Sequence, residues 1–251
     1  MNHATIAIDH PPLPRGTQRR AWWRQPHGSA LSLAVLGAAR SAPGIVVLVA
    51  RDTHQAHQFE TELRAFGSAD DVLHLPDFET LPYDIFSPHP DIVSQRVATL
   101  YRLPTVRRGV LVTTAATLMQ RLPPRGFIQG SNLALTVGQK LAIDAERQRL
   151  DAAGYRHVPQ VLEPGDYATR GALLDVFPMG AAEPYRIELF DDQIETIRTF
   201  DPETQRSAAR VDEVRLLNAR EFPVTADAAR AFRNTLRERF PIDPRRCPLY
   251  Q

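Results

Sequence analysis

Three side chains on one short segment, Arg186, Glu188 and Phe190, have the types and spacing of a protein-binding surface. Side chains of a strand alternate between its two faces, so these three share one face. The alternate positions from Tyr185 to Leu189 are apolar and should pack on a core. We therefore expect Phe190 to be at least half exposed. Arginine and aromatic residues dominate binding hot spots, where truncation costs about 2 kcal/mol or more, so the chemistry indicated is recognition and not catalysis.

A short antiparallel meander must position this surface. Asp191-Asp192 is the predicted hairpin turn, because Asp tolerates the backbone that such turns need. Gln193–Phe200 is the predicted returning strand. Upstream, Ala172–Phe177 is a third strand, and Arg170 lies where that strand begins. The meander would thus show two arginines and one phenylalanine to water.

A plainer interpretation of the same residues stays open. Arg186 and Glu188 are neighbours on one face and could form an ordinary surface ion pair, worth about 0–1 kcal/mol. Phe190 could also be covered by another loop of its own domain.

Histidine, lysine and glycine positions elsewhere in the chain do not have the spacing of a metal or nucleotide site. His54 and His57 lie three apart on a predicted helix, but no acidic or cysteine partner is evident at matching spacing, so we expect solvated surface histidines. A phosphate loop needs glycines and a lysine. The single lysine, Lys140, has no upstream glycine at the required spacing, and Pro26–Ala30 contains a glycine but no lysine. We expect no catalytic residue, no metal and no cofactor.

Helical and strand patterns alternate between Gly28 and Leu122, which predicts a parallel α/β sheet. Ile45–Ala50 is a continuous apolar run, typical of a strand buried on both faces. Asp91 is expected to cap a helix that Pro104 stops. The other elements predicted in this region are helices over 29–40 and 115–122, a helix capped by Asp52 or Thr53 that runs to about Phe66, and strands over 72–75 and 109–114.

The alternation is interrupted at Pro123–Gly126, and Glu221–Pro223 marks a second interruption. Between these points we predict a smaller α+β domain that contains the meander. The predicted division is a Pro/Arg-rich, poorly ordered tail over 1–27, an α/β domain over 28–126, the α+β domain over 127–220 and the start of a third domain over 221–251.

Composition limits the function classes. The 251 residues are 43% hydrophobic and 24% charged, which is ample for a globular core. The formal net charge of +1 does not indicate a dedicated nucleic-acid module. One cysteine, Cys247, cannot form an internal disulfide, and neither a signal peptide nor an apolar run of membrane-spanning length is evident. We expect a cytoplasmic protein without a membrane partner.

Several long runs are similar to one family. RGALLDVFPMG from Arg170, PYRIELFDD from Pro184 and IRTFDPETQR from Ile197 resemble the UvrB-homology module at the N-terminus of bacterial transcription-repair coupling factors (Mfd). FETLPYDIFSPHPDIVSQRVATLYRLP from Phe78, GYRHVPQVLEPGDYATRG from Gly154 and the closing DPRRCPLYQ carry the same resemblance. The similarity covers nearly the whole chain after Gly28.

The resemblance implies a degenerate RecA/UvrB-like domain that lacks a nucleotide loop, followed by a domain that binds UvrA, the damage-recognition ATPase of nucleotide excision repair. Motif for motif, the family's UvrA contacts fall on Arg170, Arg186 and Phe190. It also implies that another domain of a longer chain could mask this face. Motor and RNA-polymerase-binding domains would lie beyond Gln251, so this chain is expected to be a non-catalytic adaptor.

Two rival functions stay open on the sequence. One is a nucleotide-dependent DNA translocase or helicase-type enzyme, which micromolar ATP binding would support. The other is a DNA-binding module that uses the arginine-rich tail and the basic segment Thr225–Arg239, whose affinity would fall steeply with salt.

Overall fold

The computed structural model describes residues 8, 10–24, 26–68, 71–81, 85–130, 133–223 and 225–240. The chain divides into two compact units, Met1–Leu122 and Pro123–Gln251. The four-segment division given above stays a prediction. Of its terminal segments, residues 1–7, 9, 25 and 241–251 lie outside the described part.

The first unit alternates helices and strands. In chain order, its described helices and strands are α1 (Ala30–Ser41), β1 (Val46–Ala50), α2 (Thr53–Phe66), β2 (Val72–Leu75), α3 (Pro90–Arg102), β3 (Val110–Thr114) and α4 (Ala115–Met119). Asp52 caps α2 by accepting a hydrogen bond from the Gln55 backbone N–H. The predicted cap of α3 is wrong: His89 caps that helix, and Asp91 lies in its first turn, where a carboxylate favours the helix dipole.

The first unit has a parallel sheet in the strand order β1-β3-β2. The central strand β3 is buried throughout. The prediction that Ile45–Ala50 is buried on both faces is wrong, because β1 is an edge strand. Val46 and Leu48 pack on the core formed with α1 and α2, whereas Val47 and Val49 are each 46% exposed.

Apolar side chains from α1, α2 and all three strands form the core of this unit, among them Val35, Leu36, Phe59, Leu63, Val72, Val110 and Val112. Trp23 packs against this cluster, and its indole N–H donates to the Pro12 carbonyl at 2.9 Å. The N-terminal segment is therefore anchored on the unit through one of its two tryptophans, while Trp22 is exposed.

The second unit is mixed α and β. Its described elements are α5 (Arg125–Gly130), β4 (Leu133–Thr136), α6 (Ile143–Ala152), β5 (Arg156–His157), β6 (Asp166–Arg170), β7 (Leu173–Val176), β8 (Tyr185–Phe190), β9 (Gln193–Phe200), β10 (Ser207–Val211), β11 (Glu213–Leu216) and α7 (Ala226–Arg239). The sequence predicted β7, β8 and β9 but missed β5, β6 and β10.

The predicted meander is the centre of a six-stranded sheet in the order β10-β9-β8-β7-β6-β5. All neighbouring pairs are antiparallel except β5 and β6. Leu174, Ile187 and Ile197 lie in one cross-strand row and are fully buried, so this face of the sheet supports the core. Helix α6 lies on the same side, where the Tyr167 hydroxyl donates to Asp151 at 2.7 Å. Strands β4 and β11 form a separate pair.

Candidate protein-binding face

The opposite face of the six-stranded sheet carries the three predicted contact residues. We call it the arginine face and define it by the side chains of Arg170, Arg186 and Phe190. Register places Arg170 opposite Leu173, and Leu173 opposite Glu188. Because directly paired residues share a face and strand residues alternate, Glu188 lies on the same side as its neighbours Arg186 and Phe190.

Phe190 is the last residue of β8 and is 75% exposed. The preceding Leu189 and Ile187 are buried, so the predicted alternation holds to the end of the strand. The prediction that Phe190 is at least half exposed is confirmed. The adjoining turn has a left-handed residue, Asp191 with φ 57°, and Asp192 pairs with the Lys140 ammonium at 2.8 Å. These contacts fix the turn beside the exposed ring.

Arg186 is the second residue of β8 and lies directly opposite Asp175 on β7. Its Nε and Nη2 each donate to one Asp175 carboxylate oxygen at 2.8 Å. Its Nη1 donates to the Gln205 carbonyl at 3.2 Å, and the guanidinium lies 4.8 Å from the centre of the Phe200 ring. These hydrogen bonds to Asp175 raise the pKa of Arg186, although partial burial opposes the shift.

The prediction that both arginines are shown to water is therefore wrong for Arg186, whose side chain is only 17% exposed. The alternative ion pair with Glu188 is not what holds it. Glu188 instead accepts a hydrogen bond from the Thr196 hydroxyl at 2.9 Å. A bidentate pair has fixed geometry, so the partly exposed guanidinium is held in one orientation.

Arg170 is exposed, but it ends β6 and does not begin the following strand as predicted. The Gly171-Ala172 turn separates it from β7. Its Nη2 donates to the Pro159 carbonyl, which draws the guanidinium toward the loop between β5 and β6. The charge of Arg170 is accessible to solvent, whereas Arg186 is mostly buried and paired with Asp175.

The arginine face is covered at one end and open at the other. Val161, Phe177 and Phe200 form a buried cluster on this side of the sheet, and Arg186 lies beside it through its contact with the Phe200 ring. From Arg186 the strand runs about 13 Å, at roughly 3.3 Å per residue, to the exposed Phe190. The open part thus combines an apolar ring, a fixed guanidinium and an exposed one.

Comparison with known proteins identifies the relatives of this chain. Residues 133–222 match the family described as the UvrB interaction domain. The transcription-repair-coupling factor of Escherichia coli (strain K12) is 48% identical over 215 residues, which are 86% of this chain and 19% of that protein. The one of Haemophilus influenzae (strain ATCC 51907 / DSM 11121 / KW20 / Rd) is 44% identical over 209 residues, 83% of this chain and 18% of that protein. The chain belongs to the transcription-repair-coupling factor family.

The chain spans about a fifth of the length of these curated transcription-repair-coupling factors, and it corresponds to their N-terminal UvrB-homologous module, as the sequence motifs predicted. A more distant relative, from Staphylococcus aureus (strain Mu50), is 30% identical over 192 residues, 76% of this chain and 16% of that protein. The UvrB interaction domain match contains Arg170, Arg186 and Phe190.

One side-chain cluster of this coupling-factor module was not predicted from the sequence. His57 lies near an acidic residue on its own helix, Glu60, and near His74 on β2, and ligand atoms of the three lie within 4.8 Å of one another. The Glu60 carboxylate is 2.6 Å from His74 Nδ1 and 3.0 Å from Arg64 Nη2. Burial opposes ionisation of Glu60, but its hydrogen bonds and charge contacts with His74 and Arg64 prevail and lower its pKa.

The prediction that His57 has no acidic partner is thus wrong, because Glu60 is one helical turn away on the same face. His54 is not part of the cluster. These side chains are of types that bind metals, but the carboxylate already satisfies one histidine and one arginine. The observed contacts therefore describe a partly buried network, made of the Glu60–Arg64 ion pair and the Glu60–His74 contact, that joins α2 to β2.

The two places considered for a phosphate loop lie far apart in the sequence and in different units. Gly28 adopts a left-handed backbone (φ 55°) immediately before α1, whose capping residue Ser29 makes no side-chain cap bond. The single lysine, Lys140, lies in the second unit and pairs with Asp192. None of the helices in the described ranges is long and apolar enough to span a membrane.

Proposed function

We propose that this chain is a non-catalytic adaptor that recruits UvrA to stalled transcription complexes in nucleotide excision repair. The arginine face would be the UvrA-binding surface, with Arg170, Arg186 and Phe190 as its principal contacts. Membership of the coupling-factor family and the match to the UvrB interaction domain support this role.

The observation that carries the proposal is the exposure of Phe190 within the matched segment. A phenylalanine ring that projects into water from a hairpin costs free energy in the isolated chain. Burying a ring of this size in a partner pocket returns about 1.5–3 kcal/mol. The ring is positioned by a regular strand and a tight turn, so little conformational entropy would be lost on binding.

The two arginines would contribute differently. Arg186 is held by Asp175 and by the Gln205 carbonyl, so its unused N–H donors are pre-oriented for a partner carboxylate. Arg170 is exposed and would chiefly increase the association rate and orient the encounter. A surface of this kind requires acidic groups on the partner around an apolar pocket.

In this proposal residues 28–126 form a degenerate RecA/UvrB-like α/β domain that has no nucleotide cofactor. Residues 127–220 form the UvrA-binding domain, and 221–251 begin a third domain. The chain would act in the cytoplasm. In a longer coupling factor another domain would mask the arginine face until UvrA is needed.

The proposal is tested by titrating immobilised chain with purified UvrA. Phe190→Ala should weaken binding by about 30-fold, the equivalent of a 2 kcal/mol hot spot. We choose Phe190 for this test because truncating Arg186 would leave the buried Asp175 carboxylate without its partner, whereas truncating Phe190 would not. Phe232→Ala is the matched control: that ring is 50% exposed on α7, a helix without buried residues. Wild-type chain that fails to bind UvrA, or equal binding by the two variants, would refute the assignment.

A further inference from the structure

Three arginines stand side by side across the arginine face. Arg186 on β8 is directly opposite Arg198 on β9, and Arg198 is directly opposite Arg210 on β10. Paired strands are about 4.8 Å apart, so the row spans roughly 10 Å at right angles to the strands. Like charges in directly opposite positions destabilise a sheet, and such a row needs a source of compensating charge.

Among the residues that the structure describes, that compensation reaches only the first member of the row. Asp175 neutralises Arg186 through its two 2.8 Å bonds. Arg198 has a buried Nε without a hydrogen-bond partner. Arg210 is exposed, and its Nη2 donates to a backbone carbonyl, that of Glu195, at 3.4 Å. A carbonyl oxygen satisfies a donor but carries no full negative charge.

The adjacent cross-strand row of residues does not supply the missing negative charge. It contains Arg170, Leu173, Glu188 and Thr196, and the Glu188 carboxylate already accepts the Thr196 hydroxyl. Across the two rows four arginines therefore face two carboxylates, both of them engaged. The excess positive charge lies on the β9–β10 side, away from Asp175.

We infer that the docking face extends from β8 over β9 and β10, and that Arg198 and Arg210 receive a stripe of carboxylates on the UvrA surface. This inference rests on the proposed function and adds the charge pattern expected on UvrA. The acidic groups of UvrA would lie about 5 Å apart, in a line that crosses the strands of this sheet. Arg198, which is partly buried, would gain for its guanidinium a charge partner that the described residues do not supply. Arg210, at the sheet edge, would meet the rim of the partner.

The geometry favours an acidic protein over a nucleic acid. Phe190 is flanked by Asp191 and Asp192 at the open end of the same face. A nucleic acid that covered both the arginine row and the Phe190 ring would bring its phosphate groups close to these two carboxylates. The chain as a whole has a formal net charge of only +1, whereas nucleic-acid binding usually draws on a strong basic excess. Acidic side chains around an apolar pocket fit both the charges and the ring.

UvrA titrations of wild type, Arg210→Glu and Arg198→Met, at low and high salt, test the inference. Arg210→Glu should weaken UvrA binding about tenfold at low salt and less at high salt, because an edge charge acts through screened electrostatics. Arg198→Met removes the guanidinium with little change of volume and should weaken binding at both salt concentrations. Arg230→Glu is the charge-matched control on α7, where the side chain is 72% exposed.

The outcomes separate this inference from the proposed function. If Phe190→Ala loses UvrA while Arg210→Glu and Arg198→Met bind like the Arg230→Glu control, the extension over β9 and β10 is wrong and the proposed function stands. If wild-type chain does not bind UvrA, both fall. If Arg210→Glu leaves UvrA binding unchanged but abolishes binding to a short DNA duplex, the arginine row belongs to a nucleic-acid site and the inference is overturned.

Discussion

Asp175 on β7 and Arg186 on β8 lie directly opposite each other and form a bidentate ion pair, with both bonds at 2.8 Å. The pair lies at the border between the covered and open parts of the arginine face. It therefore serves two purposes: it satisfies a mostly buried carboxylate, and it fixes the direction of a guanidinium at the proposed docking surface.

Removing the carboxylate of this pair should destabilise the second unit. Asp175→Ala leaves the Arg186 guanidinium, which is 17% exposed, without its charge partner. We expect a loss of about 2 kcal/mol in unfolding free energy. Asp175→Asn keeps one acceptor and should lose less. Hydrogen exchange of peptides covering β7 to β9 measures the effect within the unit.

Glu195→Ala provides the reference for this experiment, because Glu195 is an exposed acid on β9 of the same sheet. Its removal should leave exchange of β7 and β8 unchanged. Equal protection in Asp175→Ala and Glu195→Ala would mean that the ion pair contributes nothing measurable to the stability of the sheet.

The sequence predicted the exposure of Phe190 but not the ion pair between Arg186 and Asp175, for a physical reason. Alternation within one strand is local, so the burial of Ile187 and the exposure of Phe190 could be predicted from the residue pattern. Which residue lies opposite Arg186 depends on the register between β7 and β8, and the connection between these strands contains no short turn with a defined residue offset. Asp175 was inside a predicted strand, yet its pairing could not be deduced.

Strand β10 was missed for a related reason. Its residues Ser207–Val211 are small or polar and mostly exposed, so they lack the apolar alternation that indicates a strand. Its pairing with β9 includes a register shift, and it is a strand because β9 supplies the hydrogen-bonding edge. The row formed by Arg186, Arg198 and Arg210 could not be seen without that pairing.

A buried arginine in the first unit gives a second stability prediction. Arg96 on α3 is fully buried, its guanidinium lies 3.8 Å from the centre of the Phe78 ring, and it donates to the Pro76 carbonyl. It thereby ties the segment after β2 to α3. Arg96→Lys keeps the charge but loses the planar stack and the donor geometry, so we expect a loss of about 2 kcal/mol or more.

Tryptophan fluorescence during urea unfolding measures this change, because Trp22 and Trp23 both lie in the first unit. Arg102→Lys, at an exposed position in the last turn of the same helix, is the matched substitution and should unfold like wild type. Coincident unfolding curves for Arg96→Lys and Arg102→Lys would contradict the structural role assigned to Arg96.

A buried glutamate on α6 makes the stability of the second unit depend on pH. Glu146 is 2% exposed, its Oε1 has no hydrogen-bond partner, and Arg149 reaches the other oxygen only at 3.4 Å. Burial raises the pKa of Glu146 above its ordinary value of 4.5, and the nearby Arg149 only partly opposes this. Ionisation is therefore harder in the folded state than in the unfolded state, so stability falls as pH rises from about 4.5 through the folded pKa.

Glu146→Gln removes the charge at constant shape and should remove this pH dependence. At pH 8 we expect the variant to be more stable than wild type by about 1 kcal/mol, and the difference should vanish below the unfolded pKa, where wild type is protonated in both states. The second unit has no tryptophan. Its unfolding in urea is therefore followed by circular dichroism, as the transition that tryptophan fluorescence does not show. Glu195→Gln, at an exposed site, should follow wild type at every pH. A constant offset between Glu146→Gln and wild type across this range would show that ionisation of Glu146 does not control the stability.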